Sequence, residues 1–424
     1  MKTNKLKEFY ILWLTQSLSQ LGSAMTGFAL TLWLFDETGS ALNTAGLRIF
    51  TYVPYVLMSI FAGAVTDRFD KKKTMLVCDT LAAAATVLIF FLYRNNALSV
   101  WHLYAVNAFS GLMNTVQHPA SEVTYALIVP KEDYQKTSAL QSLSRSVISI
   151  GNPVIASALY GIAGLDTVIA ADFISFGIAF TALLCFIRLP ETASEAGTDE
   201  NIIQLTKEGI AFLKKTSLIL HVILFMAGVN FISSAFEAVL PSVVIPRQGD
   251  GVFGLVSACS GIAMVIGSLL AAFMPKPKDR VRVVYLTMLF SLGTENYLLA
   301  FSESPVVWCA AQIIGWLFVP VMSANKNVIM RNTVPVSLQG RVYACRNTLQ
   351  FFTIPIGLAW GGFMTDNICE PFMAANQYDK LLTGIFGSGK GSGASLMMFI
   401  LGISGTVLCL VSGRKLKRYK YTNK

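Results

Sequence analysis

With 424 residues, 54% of them hydrophobic and 13% charged, the chain carries about half the charged fraction usual for a soluble domain, which excludes an ordinary soluble enzyme or binding module. Its net charge of +9 would suit nucleic acid if gathered on one surface, but the cations are dealt out between apolar stretches instead. Seven scattered cysteines without a CxxC pair and three dispersed histidines, His102, His118 and His221, indicate neither a disulfide framework nor a metal centre.

A membrane-spanning helix needs roughly 20 mostly apolar residues, and the chain supplies such stretches in series. In chain order, spans are expected at Phe9–Phe35, Asn43–Val65, Met75–Tyr93, Leu103–Ile128, Leu140–Ile162 and Val168–Ile187. After a polar segment they resume at Ile219–Leu240, Val252–Phe273, Val283–Phe301, Val306–Met330, Val342–Met364 and Ala394–Val411. The first follows Lys2, Lys5 and Lys7, as a signal peptide would, but it is too long for such a peptide's apolar core, and more spans follow.

An even number of spans puts both termini on one side. With that side cytoplasmic, only Arg94, Arg247, Lys380 and Lys390 of the 33 Lys and Arg fall on outer loops. Arg48, Arg145, Lys326 and Arg346 fall within spans, and the rest lie on inner segments. The positive-inside rule therefore fixes the orientation, and the basic C-terminal run Arg414–Lys424 suits a surface of anionic lipid.

The one long inner break, Pro190–Thr216, is rich in Glu, Thr and Lys. It divides an N-terminal bundle, 1–189, from a C-terminal bundle, 217–424, as a cytoplasmic linker over 190–216. Within it, Ile202, Leu205, Ile210 and Leu213 suit either a short amphipathic surface helix or a plain solvated connection. The expected fold is an all-α membrane protein of twelve transmembrane helices in two pseudo-symmetric six-helix bundles.

The inner loop after span four reads Val129-Pro130 and then Ala139, and the loop after span ten reads Val334-Pro335 and then Ala344 at the same offset. Matched residues at matched topology indicate duplicated halves. Such halves place a substrate site near the midplane between them, so transport is implied before any motif is read.

After span two the chain reads Gly63-Ala64-Val65-Thr66-Asp67-Arg68-Phe69-Asp70-Lys71-Lys72-Lys73. Gly63 permits close approach of a helix, and Asp67 suits the positive N-terminal end of span eleven, which begins at Gly340-Arg341. Position, spacing and chemistry resemble the signature loop of the major facilitator superfamily. Gly63, Asp67, Arg68, Lys71 and Arg341 are accordingly expected to form its gating loop. Gly340-Arg341-Val342-Tyr343, Thr353-Ile354-Pro355-Ile356-Gly357 and Thr38-Gly39-Ser40 resemble the branch of macrolide-efflux proteins and enterobactin-type exporters. Drug exporters of the superfamily carry Gly-Pro in span five, and here Asn152 separates Gly151 from Pro153.

Spans one, four, seven and ten carry polar residues at helical spacing. These are Gln16 and Gln20; Asn107, Asn114, His118 and Glu122; Asn230, Ser234 and Glu237; and Trp316, Ser323 and Asn327. The resemblance implies that these four spans line the central cavity. Asn, Gln and Ser also serve as glue between membrane helices. Charges at span centre cost on the order of 2.5–3.5 kcal/mol, so Glu122 and Arg145, at similar inner depth on spans four and five, are expected to pair. At the repeat offset they map onto Asn327 and Gln350, and a charge kept in one half only marks Glu122 as a proton-coupling group. Glu295 and Glu237 are further candidates. Asp172 and Glu237, near the outer end, are expected to reach the interface.

No GxxxxGK[ST], HExxH or GxSxG occurs, so neither ATP-driven transport by this chain nor enzymatic chemistry is expected, and no cofactor. The expectation is a proton-coupled exporter of an amphipathic macrolide-like, siderophore or peptide-like molecule. It would act as a monomer in a bacterial inner membrane, with substrate, protons and lipid as partners. An importer of a small solute and a non-transporting scaffold or sensor are the alternatives.

Overall fold

In the computed structural model, the described residues are 2–68, 70–129, 133–186, 210–275, 277–335, 338–417 and 419. Among them there is helix and no strand, as a lipid environment demands of backbone groups that must find partners within their own segment. Helices α1 (Lys2–Thr38), α2 (Ala41–Arg68), α3 (Lys71–Arg94) and α4 (Val100–Ile128) follow across short turns. Asp70 starts α3 by accepting the Lys73 N–H at 2.8 Å, an N-cap bond.

Helix α5 (Tyr134–Phe186) carries the fifth and sixth expected spans, and α7 (Ser217–Phe273) the seventh and eighth. Each is interrupted at one glycine, Gly164 (φ 71°, ψ −179°) and Gly249 (φ 79°, ψ 177°). That backbone region is essentially restricted to glycine. A short helix α6 is described over 210–215; the first part of the expected linker, with most of Ile202–Leu213, lies outside the described residues.

Then come α8 (Arg280–Phe301), α9 (Pro305–Leu317), α10 (Val319–Thr333), α11 (Gln339–Phe351) and α12 (Thr353–Met364). A π turn (Thr365–Cys369), α13 (Glu370–Ala375), α14 (Lys380–Phe386) and α15 (Ser392–Leu416) complete the series. The tenth and eleventh spans are broken at Phe318 and Phe352. Pro320 and Pro355 explain both breaks, since neither has an N–H for the carbonyl four residues back, at Trp316 and Phe351. The expected spans all fall on helix, the sixth as far as Phe186, where description stops. Seven described helices are long and apolar enough to cross a membrane by length and composition.

Packing gathers the chain into two units, Met1–Glu37 with Phe50–Thr198 and Thr38–Ile49 with Asp199–Lys424. In the first, Phe9, Leu12, Met75, Ala120, Ile128 and Leu183 form a buried cluster with Trp13 and Tyr125 against it, tying α1, α3, α4 and the end of α5 together. In the second, Gly357 and Gly361 set α12 directly on the Phe231 and Ala235 carbonyls of α7. Small residues allow this contact, and dispersion then holds helices that gain nothing from leaving lipid.

Candidate functional site

A cavity of about 610 Å³ lies within the first unit. Helix α1 contributes Trp13, Gln16, Gln20 and Ser23, at spacings that share one face. Asp79 comes from α3, and Asn107, Asn114 and Gln117 come from α4. The first half of α5 adds Gln141, Ser144 and Arg145, and its second half adds Asp172, Phe173 and Phe176. Ser17 donates to Ser144 Oγ at 2.9 Å, closing α1 onto α5.

Two carboxylates face this space and are held differently. Asp172 is 5% exposed and accepts from Ser23 Oγ at 3.0 Å and Thr26 Oγ1 at 2.9 Å. The expectation that it reaches the interface is corrected: two hydroxyls on α1 satisfy it inside the bundle. Asp79 accepts from Gln117 Nε2, with Gln16 beside it. Among the described residues no cation lies within ion-pair distance of either carboxylate.

The cavity brings together the expected Gln16, Gln20, Asn107, Asn114 and Arg145. His118 and Glu122 are on α4, but their side chains lie outside the described residues, as does the expected Glu122–Arg145 pair. Sequence reasoning missed Asp79. It is the sole charged residue of the third span, and that was the available signal, masked by its place one turn inside a basic flank.

The second-unit candidates do not line this cavity. Asn230 Nδ2 donates to the Gln350 carbonyl at 3.1 Å, and Ser234 Oγ to the Phe231 carbonyl at 3.0 Å. Trp316 Nε1 donates to Glu295 Oε1 at 3.0 Å; Glu295 is buried and packs on Gly315. Ser323 is half-buried and Asn327 exposed on α10. Glu237 pairs with Arg48 at 3.0 Å, both side chains about half exposed. The gating-loop positions Gly63, Asp67 and Arg68 are in the last turns of α2 and Arg341 is in α11, with their side-chain surroundings outside the described residues. Lys71 is the first residue of α3. In α5, Pro153 is buried and the Asn152 Oδ1 is buried without a partner. No group of three His, Cys, Asp or Glu among the described residues could hold a metal ion.

A sequence profile described as Major Facilitator Superfamily matches residues 12–358. Macrolide efflux protein A of Streptococcus pyogenes is 26% identical over 370 residues, 86% of this chain and 90% of that protein. Multidrug efflux pump Tap of Mycolicibacterium fortuitum is 23% identical over 365 residues, 81% of this chain and 86% of that one. Among solved structures, a bacterial homologue of the human lysosomal transporter Spinster, inward-facing and unoccupied, aligns at TM-score 0.71 and 13% identity over 100% of both chains. The nucleoside transporter NupG aligns at TM-score 0.68 and 12% identity over 97% of this chain and 100% of that one. The chain belongs to the Major Facilitator Superfamily and is thus a multi-pass membrane transporter of a small molecule, not an enzyme.

Proposed function

We propose that this transporter exports an amphipathic small molecule, macrolide-like, siderophore-like or peptide-like, from a bacterial cytoplasm by proton-coupled antiport. In this reading the two halves, 1–189 and 217–424, alternate access about the 190–216 linker, with both termini cytoplasmic and the monomer as the working unit.

The observation that carries the reading is the first-unit cavity. Its volume of about 610 Å³ falls in the range of small-molecule sites. Aromatic walls beside amides suit an amphipathic guest, and carboxylates inside an apolar bundle require neutralisation by a proton or a cation. Relatives named as efflux proteins support the outward direction.

The test is uptake of a labelled macrolide into inverted vesicles energised by respiration. Uptake abolished by an uncoupler and by Asp79→Asn or Glu122→Gln is the expected result. Accumulation that ignores the uncoupler removes proton coupling. Accumulation only in right-side-out vesicles reverses the direction.

A further inference from the structure

We propose that Cys259 and Cys309 form a dithiol site within the second unit that takes one trivalent arsenical, a neutral soft electrophile, as a bridge between the second half of α7 and α9. The site stands apart from the transport reading and holds whatever the substrate and its direction.

The two cysteines are far apart in the chain, and the fold joins them. A Cβ added at Gly267 would overlap the Leu317 carbonyl and stand 3.1 Å from the Pro320 Cδ, so the second half of α7 meets the end of α9 backbone to backbone. Cys259 lies eight residues before Gly267 and Cys309 eight before Leu317, about 12 Å back along either helix at 1.5 Å rise per residue. The register is kept over that distance, and the two thiols are in hydrogen-bond contact. Both ends of the contact are held. Trp308, beside Cys309, is fully buried, and its Nε1 donates to the Ser302 carbonyl at 2.7 Å. Ser260, beside Cys259, donates to the Ser257 carbonyl at 2.7 Å. Cys259 is buried, Cys309 is half-buried and open to an incoming reagent, and both are free thiols.

Chemistry selects the partner. Thiol sulfur is a soft ligand and favours soft acceptors. With an organic arsenic(III) oxide, two As–S bonds form, the arsenic–oxygen double bond breaks, and the two thiol protons leave on that oxygen as one water. Arsenic stays trivalent with its third bond to carbon, and nothing is oxidised or reduced. Thiols, oxide and product are all uncharged, so the exchange places no charge in an apolar bundle, where charge is costly. Disulfide formation, by contrast, proceeds through a thiolate. A linear two-coordinate ion such as Hg(II) or Cu(I) sets its two sulfurs on opposite sides, farther apart than thiols in contact, whereas the bent S–As–S unit accepts neighbouring sulfurs.

The test uses the purified full-length protein in detergent, titrated with phenylarsine oxide against a fixed excess of the monothiol β-mercaptoethanol, with occupancy read by intact mass. The expected result is one phenylarsine unit per native chain, released by the dithiol 2,3-dimercaptopropanol. Cys259→Ala and Cys309→Ala each leave a single sulfur and lose the intramolecular second bond, which is expected to weaken retention by on the order of 10²–10⁴-fold. Retention unchanged in either variant overturns the proposal, and so does a native chain that holds no arsenical against β-mercaptoethanol. Should either variant fail to fold, the native chain decides alone. Peptide mapping after alkylation in denaturant is expected to find Cys259 and Cys309 protected by the arsenical, and protection of any other pair in their place overturns the site.

Discussion

Glu295 is expected to hold the Trp316 indole in place, a packing role that can be tested apart from proton coupling. It sits against Gly315 and receives the Trp316 indole N–H at 3.0 Å. Glu295→Gln retains an oxygen for that donor, so little change in thermal stability is expected, whereas Glu295→Ala strands the indole N–H and opens a void, at a cost of about 1–3 kcal/mol. Melting of the purified protein separates them; an alanine variant as stable as the native chain would sink the assignment. Gly315→Ala is expected to destabilise as well, because its methyl would overlap the Glu295 carboxyl. At this scale the sequence was legible where polar residues repeat along a helix: Gln16, Gln20, Asn107 and Asn114 do meet in one cavity. It was opaque where the decisive fact is a partner on another helix. Nothing in the surroundings of Asp172 in the chain says that Ser23 and Thr26 will hold it, or that Trp316 will find Glu295. Asp79 was hidden because a carboxylate near a basic inner flank reads as solvated until Gln117 is seen to meet it.

The helices themselves were legible from apolar runs, since length and hydropathy alone dictate a spanning helix. What the runs leave out is how the chain turns and breaks. Gly164 and Gly249 hold a conformation that side chains with a Cβ resist, in open surroundings with nothing within 4 Å of an added Cβ. Alanine at either is therefore expected to cost on the order of 1–3 kcal/mol for backbone reasons alone. Gly177→Ala, helical and equally open, is expected to be neutral or to stabilise by about 0.5–1 kcal/mol. Thermal melts that rank the three alike would refute the backbone argument. A second device is the start of α2. Asp366 accepts from Ser40 Oγ at 2.6 Å, the Ala41 N–H at 3.0 Å and the Leu42 N–H at 2.8 Å. A carboxylate thus caps this helix from a distant point in the chain and faces its positive end. Asp366→Ala is expected to cost about 1 kcal/mol, as caps do, and Asp366→Asn less. The sequence reading had Thr38-Gly39-Ser40 only as a resemblance, because a cap supplied by Asp366 leaves no local signature.

For the whole molecule, the strongest constraint is the sorting of charge. Cations on the expected outer side are few, and two of them are tied down: Arg94 pairs with Asp166 at 3.1 Å. Arg247 pairs with Glu303 at 3.5 Å while donating to Ser395 Oγ and the Phe386 carbonyl. Clusters on the expected inner side, such as Lys71-Lys72-Lys73 and Arg414-Lys415, would resist translocation, and the positive-inside rule counts short segments of this kind next to span ends. A fluorescent protein that folds only in the cytoplasm is therefore expected to light up when fused after Lys424. Alkaline phosphatase, active only outside, is expected to work when inserted at Asn96, in the turn that follows α3. If the C-terminal fusion were dark and the Asn96 insertion inactive, the orientation would be reversed. The transport assay would then have to be read with inside and outside exchanged, so the topology result comes logically before any claim of export.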